Sequence, residues 1–281
     1  KADGEIVVKT EQYQGICHNK RIRSLPIIRG VFSFIDSMVL GMSTLTYSAS
    51  FFMEEEEKEE VKNEKKESLM MGMTIAFSVV MAVAVFMILP YFLSQLFRKF
   101  TDSMTVITLL EGAVRLVIFF GYILLISRMQ DIQRVFMYHG AEHKCINCIE
   151  HGMELNVENV LKSSRLHKRC GTSFLFIVMI VSIVFFLFIR IESPIWRVLF
   201  RLLLIPVIAG VSYEFLSFAG KHDSKLVDIL SRPGMWMQGL TTKEPDDTMI
   251  EVAIAAVEAV FDWRAYLDEN FPGWEKKEEQ A

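Results

Sequence analysis

The sequence predicts an all-α polytopic membrane protein: four transmembrane helices plus an interfacial or re-entrant N-terminal helix, with a small cytoplasmic part that is α-helical with minor β structure. Three observations predict this class. Apolar residues make up 52% of the 281 residues, and the mean hydropathy is +0.31, which is high for a soluble domain. Four apolar runs reach the roughly 20 residues that cross a hydrocarbon core. The charged residues are clustered along the chain.

The predicted spans are residues 70–97, 106–127, 172–191 and 196–219. The second span holds Glu111 and Arg115 four residues apart on one helical face, which predicts a structural ion pair. The fourth holds Arg197 and Arg201 near its start, where long basic side chains can snorkel to the interface. Glu214 lies near the end of that span, where an acidic residue is costly unless it is paired or functional.

The remaining segments differ in composition. Residues 25–53 are apolar, but Arg29, Asp36 and several Ser and Thr residues favour an interfacial or re-entrant helix. In the tail, a turn is predicted at residues 232–234, and apolar residues at helical spacing after Asp246 predict a capped amphipathic helix. The predicted segments are a polar and β N-terminal segment (1–24, strand-like at 5–9), the N-terminal helix (25–53), a Glu/Lys-rich loop (54–68), the four-span domain (69–219, with the motif region 128–171) and the tail (220–281).

Basic residues set the predicted orientation. The segment before residue 26, the connection 128–169 and the tail after residue 219 are rich in Lys and Arg. With four crossings all three fall on one side, which the positive-inside rule identifies as the cytoplasm. Both termini and the motif region are therefore expected in the cytoplasm. The lipid bilayer is the expected partner of the spans, and no nucleic-acid partner is expected.

One polar stretch concentrates side chains that can bind metal. His139, Glu142 and His143 have the spacing H-x-x-E-H, which on a helix puts both imidazoles on one face with the carboxylate beside them. Two neutral imidazoles suit zinc or a similar divalent metal ion. The carboxylate can act as a general base, because a metal lowers the pKa of its bound water to near neutrality. This spacing is that of the inverzincin metallopeptidases.

A catalytic zinc needs a third protein ligand. His167 and Cys170 precede the third predicted span, and Glu214 lies near the same side on the fourth; His167 and Glu214 are the favoured ligands. One alternative is a closed structural zinc site, whose ligand spacing Cys145, Cys148, His167 and Cys170 would fit. Another is that these side chains only hydrogen-bond to one another. A redox Cys-x-x-Cys is disfavoured, because no thioredoxin-like strand pattern accompanies it.

The chain also resembles the DUF1385 (YqhQ-like) family of bacterial membrane proteins. The resemblance extends over nearly the whole chain and rests on residues 28–31, 40–42, 136–150, 155–160, 164–174, 212–214, 232–238 and 240–247. It implies a multi-pass protein of the bacterial cell membrane. Because members of the family are described as predicted metal-dependent enzymes, it also implies a metal-dependent enzyme of undetermined reaction.

Two departures from the family pattern bear on these expectations. The glycine-rich segment with which the family usually begins is absent, and the tight turn expected at residues 3–4 has no strand before it. An N-terminal segment is therefore expected to be missing. Where the family usually has a small residue without a thiol, this chain has Cys145. That difference gives more weight to another group of residues: His139, Glu142, His143, His167 and Cys170.

The resulting hypothesis is an integral membrane protein that acts as a metal-dependent hydrolase, with a peptide bond near the membrane as a candidate substrate. His139 and His143 are the predicted ligands, His167 or Glu214 completes the shell, and Glu142 is the general base. The alternative is a non-catalytic membrane scaffold, or an accessory factor for the insertion or assembly of membrane proteins. In that case the His/Cys cluster is structural, and the cytoplasmic loops bind a membrane-protein partner.

Overall fold

The computed structural model of the protein describes residues 4–51, 64–168, 170–189, 191, 193–220 and 225–274. Every regular element within these ranges is a helix, which confirms the predicted all-α class for this part of the chain. Residues 54–63 of the predicted Glu/Lys-rich loop lie outside the described ranges. The chain forms two compact units: unit 1 comprises Lys1–Gln12, Ile123–Phe176 and Leu216–Ala281, and unit 2 comprises Tyr13–Tyr122 and Ile177–Phe215.

The helices are labelled in chain order. A π-helical turn (Ala84–Ile88) joins the third helix to the fourth, and a 3-10 turn (Leu96–Lys99) follows the fourth. The helices are α1 (Lys20–Arg23), α2 (Ile28–Ala49), α3 (Glu64–Val83), α4 (Leu89–Gln95), α5 (Met104–Ile126), α6 (Gln130–Glu150), α7 (Val157–Lys162), α8 (Gly171–Phe188), α9 (Pro194–Ala219), α10 (Lys225–Thr241), α11 (Asp247–Glu258) and α12 (Trp263–Asn270).

Five helical segments in the described ranges are long and apolar enough to cross a membrane: Ile28–Ala49, Gly72–Lys99, Met104–Ile126, Gly171–Phe188 and Pro194–Ala219. The last four correspond to the four predicted spans. The first is α2, which is one uninterrupted helix of 22 residues with the lowest mean hydropathy of the five, 1.2. The sequence predicted an interfacial or re-entrant segment there, and the predicted number of four crossings stays a prediction.

Two structural expectations are corrected. No strand forms at residues 5–9, and the described part of the chain offers no neighbouring strand to complete its hydrogen bonds. The turn expected at residues 232–234 lies inside α10. The helix passes Ser173 so closely there that a Cβ on Gly234 would lie 2.9 Å from both Cβ and Oγ of Ser173. Glycine at this position therefore serves close packing.

In unit 2, Pro90 connects helix geometry to a buried arginine. Proline has no N–H, so Pro90 cannot donate to the carbonyl of Phe86 four residues earlier. The π-helical turn lies just before Pro90, as expected where a ladder is interrupted. The Phe86 carbonyl oxygen instead accepts a hydrogen bond of 2.8 Å from Arg115 Nε. The break in one candidate span thus supplies an acceptor to the next.

The ion pair predicted in the second span is present, and it includes a second arginine. One oxygen of Glu111 accepts hydrogen bonds from Arg115 Nη2, at 2.9 Å, and from Arg201 Nη1. Both guanidinium groups lie over the ring of Phe186, at 5.1 and 4.5 Å from its centroid. Arg197 and Arg201 are buried, which corrects the expectation that they snorkel. The buried carboxylate explains Arg201, because it offers a partner inside the unit.

The contact between α2 and α9 in unit 2 depends on small residues. A Cβ on Gly30 would lie 2.9 Å from the carbonyl oxygen of Gly210, so the two backbones approach as small residues allow in membrane helix pairs. Beside this contact, Arg29 Nε donates to Glu214 Oε1 at 2.7 Å, and Arg29 Nη2 pairs with the second carboxylate oxygen. Glu214, which was predicted to need a partner, is therefore paired with Arg29.

Unit 1 has a core of its own. Side chains from α6, α7, α11 and α12 form it, and Cys145, Val160, Ile250 and Leu267 are fully buried in it. The predicted cap of the tail helix is confirmed, because Asp246 accepts a hydrogen bond of 2.9 Å from the backbone N–H of Met249. This core holds α6, which carries the H-x-x-E-H motif, in place.

Candidate metal centre

The two histidines of the motif lie on one face of a continuous helix. α6 runs without interruption through Gly140, and the ring centroids of His139 and His143 are 4.4 Å apart. The helical arrangement predicted from the spacing is therefore confirmed. Gly140 is needed here for packing, because a Cβ at this position would collide with the carbonyl oxygen of Lys243.

Cys170 joins the two histidines. One ligand atom from each of His139, His143 and Cys170 lies within 4.8 Å of the others, and His139 Nε2 is 3.2 Å from Cys170 Sγ. Zinc bonds of about 2.0–2.3 Å to nitrogen and sulfur put tetrahedral ligands about 3.5 Å apart. The group is thus close to the dimensions of a zinc site, and His143 and Cys170 are buried.

Backbone carbonyls bind Nδ1 of both imidazoles and leave Nε2 for a metal. The Nδ1–H of His139 donates to the carbonyl of Thr241 at 3.0 Å, and the Nδ1–H of His143 donates to that of Arg165 at 2.7 Å. Because a carbonyl only accepts, each Nδ1 must carry the proton. In the neutral ring the lone pair is then on Nε2, which can bind a metal. In the protonated ring Nε2–H can donate to a Cys170 thiolate, and a bound metal would replace that proton. Such outer hydrogen bonds orient histidine ligands in metal sites.

The electrostatics favour a thiolate at Cys170. Burial alone would raise the pKa of this thiol, but hydrogen bonds from His139, His143 and Thr172 outweigh burial and lower it to about 5. Cys170 directly precedes α8, and the backbone N–H of Thr172 points to Sγ at 3.4 Å. Burial lowers the pKa of His139, but the hydrogen bond and charge of Cys170, the Thr241 carbonyl and the charge of Glu142 together raise it above its usual value. The thiolate is the form that binds metal.

The loop that carries Cys170 is held by buried polar side chains of α6. Lys144 Nζ donates to the carbonyl of Ser163 at 2.8 Å, and Asn147 Nδ2 donates to those of Ser164 and Leu166 at 2.7 and 3.0 Å. Lys144 and Asn147 are themselves buried. Groups of this kind are costly to bury unless they are satisfied, so they fix one conformation of the loop. The Arg165 carbonyl that orients His143 belongs to the same loop.

His167, a predicted ligand, lies next to this group and is bound by other partners. Its Nε2 is 3.0 Å from Glu150 Oε2. Its backbone N–H and carbonyl are both bonded to the side chain of Gln238 of α10, at 2.8 and 2.7 Å. Its ring centroid is 5.9 Å from that of His143. The structure therefore places a His167–Glu150 pair beside the three ligand atoms.

The other predicted site residues have different surroundings. Glu142 is exposed on α6, and its charge contributes to raising the pKa of His139. Glu214 lies in unit 2, paired with Arg29 as described above. Cys145 and Cys148 are fully buried in the core of unit 1, and burial raises the pKa of Cys145 to about 12. Within the described ranges, no group of three potential ligands contains Cys145, Cys148 or Glu214.

Sequence reasoning ranked Cys170 below His167 and did not identify Thr241, Gln238 or Glu150. One signal favoured Cys170: a cysteine directly before a helix has a lowered thiol pKa. The carbonyl of Thr241 has no side-chain signature, so no pattern could reveal it. Glu150, the last residue of α6, contacts His167 because the loop turns back along that helix.

Gly140→Ala is expected to lower the free energy of unfolding by about 1–3 kcal/mol and to weaken zinc binding. The added methyl group would displace Lys243, whose backbone N–H donates to the carbonyl of Phe136 at 2.9 Å. Thr241, which orients His139, is two residues away. Thermal unfolding and zinc titration of the purified protein measure both effects.

Gly239→Ala is the matched control, because a Cβ on this helical glycine meets nothing within 4 Å. Alanine there is expected to be neutral or to stabilise by up to about 1 kcal/mol. Equal behaviour of the two variants would contradict the role given to Gly140.

The fold and the cluster together define a helical protein with several candidate membrane spans and a His/His/Cys group directly before one of them. Over residues 25–263 the chain matches the family described as "Protein of unknown function (DUF1385)". The chain therefore belongs to the DUF1385 family, which confirms the resemblance.

A named relative supports this assignment. The chain is 36% identical over 265 residues to the uncharacterized protein YqhQ of Bacillus subtilis (strain 168), and the match covers 90% of this chain and 83% of the relative. No solved structure matches the chain. Neither description names a metal or a reaction, so the enzymatic part of the resemblance becomes a proposal.

Proposed function

We propose that the protein is a membrane hydrolase whose divalent metal ion, zinc, is held by His139, His143 and Cys170. One observation carries the proposal: three ligand atoms of the types that zinc prefers lie within 4.8 Å of one another. Both histidines are held in the tautomer that leaves Nε2 available, and the pKa of the thiol is lowered. In this assignment Cys170 is the third ligand, a role for which the sequence favoured His167 or Glu214.

Three protein ligands are typical of a catalytic zinc, because structural sites close the fourth position with the protein. Zinc held there would supply Lewis acidity and would acidify a coordinated water. Glu142 lies on the exposed side of the same helix, next in sequence to His143. We assign to Glu142 the role of the general base that would accept a proton from that water. The His167–Glu150 pair lies beside the cluster, with the His167 ring centroid 5.9 Å from that of His143.

The location of the cluster indicates where the substrate would lie. Cys170 is the residue before α8, a candidate span, so the cluster belongs at one surface of the bilayer. The basic segments 128–169 and 225–243 favour the cytoplasmic surface. A peptide bond near the membrane is the candidate substrate.

Cobalt substitution of the detergent-purified full chain tests the proposal. Cobalt(II) is expected to give a thiolate charge-transfer band that disappears in Cys170→Ser. Acetohydroxamate is expected to change the visible spectrum, because it can occupy an open coordination position. A band that hydroxamate does not change would identify a closed structural site and support the scaffold alternative. Lack of any cobalt band would reject a metal at this cluster.

Glu142→Gln tests the catalytic role of the carboxylate. This variant is expected to keep the cobalt spectrum and the stability of the wild type, because Glu142 is exposed and is not a ligand. Hydrolysis of a quenched fluorescent peptide mixture by the zinc form is expected to fall about 10²–10⁴-fold, the usual contribution of a general base. Full activity in Glu142→Gln would contradict the assignment of the base.

A further inference from the structure

We propose that one face of α10 is a docking surface for the anionic headgroups of the bilayer. The exposed side chains described on this helix fall on a single stripe, with Ile229 and Trp236 exposed by 60% and 63%. Arg232 and Pro233 are exposed between them. The spacing i, i+3, i+4, i+7 puts these four residues on one side of the helix. This stripe is called the α10 face below.

The opposite side of α10 is packed against other residues of unit 1. Gly234 contacts Ser173, and Met237 and Gln238 are fully buried. Gln238 also donates to Ser173 Oγ at 2.7 Å. α10 therefore cannot rotate to bury the α10 face without breaking these contacts.

The contact with Ser173 determines the depth at which the α10 face lies in the membrane. Ser173 lies in the first turn of α8, which is long and apolar enough to cross a membrane. A helix that packs against the first turn of a span lies where hydrocarbon gives way to headgroups. The α10 face therefore belongs at the membrane end of α8, and lipid is the occupant that this position favours.

The residue types of the α10 face fit that environment. Tryptophan is enriched at membrane–water interfaces, where its ring is apolar and its N–H is polar. An exposed isoleucine beside it enters the acyl boundary, as in interfacial amphipathic helices. Arg232 and Lys225, the cationic residues described as exposed on this helix, attract anionic lipid. The same helix ends at Thr241, whose carbonyl orients His139, so lipid docking would steady the metal centre.

Fluorescence quenching by brominated lipid tests this surface. The full chain is placed in nanodiscs of phosphatidylcholine alone, or of equal parts phosphatidylcholine and phosphatidylglycerol, with bromine either near the headgroup or at the chain end. Trp236→Phe is expected to remove roughly half of the bromolipid quenching, because Trp196 and Trp236 are the exposed members of four tryptophans. Headgroup-proximal bromine should quench Trp236 more than chain-end bromine.

The control is Trp274→Phe, which removes a buried tryptophan and should leave bromolipid quenching unchanged. Arg232→Gln is expected to remove the extra quenching of Trp236 that phosphatidylglycerol produces. Quenching of Trp236 by aqueous acrylamide but not by bromolipid would overturn the proposal. So would protection from both quenchers, which would indicate a protein partner on this face. None of these readouts depends on metal or activity, so they stand apart from the proposed hydrolase.

Discussion

Replacement of His143 by alanine is expected to weaken zinc binding by more than about 100-fold, because loss of an outer-shell partner alone typically costs 10–100-fold. His143 is buried, and its Nδ1–H is bonded to the Arg165 carbonyl. The neighbouring His167 is bonded to Glu150 and Gln238. Cys170→Ser is expected to have a similar effect, since it removes the thiolate that lies 3.2 Å from His139 Nε2. Metal content of the purified protein and competition with a chromophoric chelator measure these losses.

Matched variants separate ligation from general damage. His151 lies one residue beyond α6, where its Nδ1 is 2.7 Å from the carbonyl of Asn147, so His151→Ala should keep full zinc affinity. Cys148 is buried and donates to the carbonyl of Glu154 at 3.2 Å, a bond that a serine hydroxyl can also make. Loss of zinc in Cys148→Ser would instead favour the closed structural site of Cys145, Cys148, His167 and Cys170.

The parts of the structure that the sequence could predict are those decided by local spacing. Two histidines four residues apart must share a face once the segment is helical, and an apolar run of sufficient length predicts a span. The cap at Asp246 is local too. The shared helical face and the cap were confirmed, and each predicted span is a helix long and apolar enough to cross a membrane.

The parts that were missed depend on contacts between distant segments. Glu214 and Cys170 were both candidates for the third ligand, because both lie near membrane ends of predicted spans. Arg29, which is far away in sequence, pairs with Glu214. A loop fixed by Lys144 and Asn147 brings Cys170 to the histidines. Spacing along the chain contains no information on either choice, because each is made by tertiary hydrogen bonds.

Glu111→Gln is expected to destabilise the protein by about 3–5 kcal/mol, the usual cost of removing one partner from a buried ion pair. Glu111 and Arg201 are each 2% exposed, and Arg115 is 6% exposed. An amide can still accept a hydrogen bond, but it leaves two buried guanidinium groups without the negative charge that they share. Thermal unfolding in detergent, followed by tryptophan fluorescence, measures the loss.

A second substitution distinguishes lost charge balance from lost shape. Arg201→Met combined with Glu111→Gln removes one of the two cations, and methionine retains much of the side-chain volume over Phe186. Because apolar replacements of buried ion pairs are often neutral, the double variant is expected to be more stable than Glu111→Gln alone. Glu158→Gln, which breaks the exposed pair with Lys162, should cause no measurable change. If the double variant were less stable than Glu111→Gln, packing of Arg201 rather than its charge would hold this part of unit 2 together.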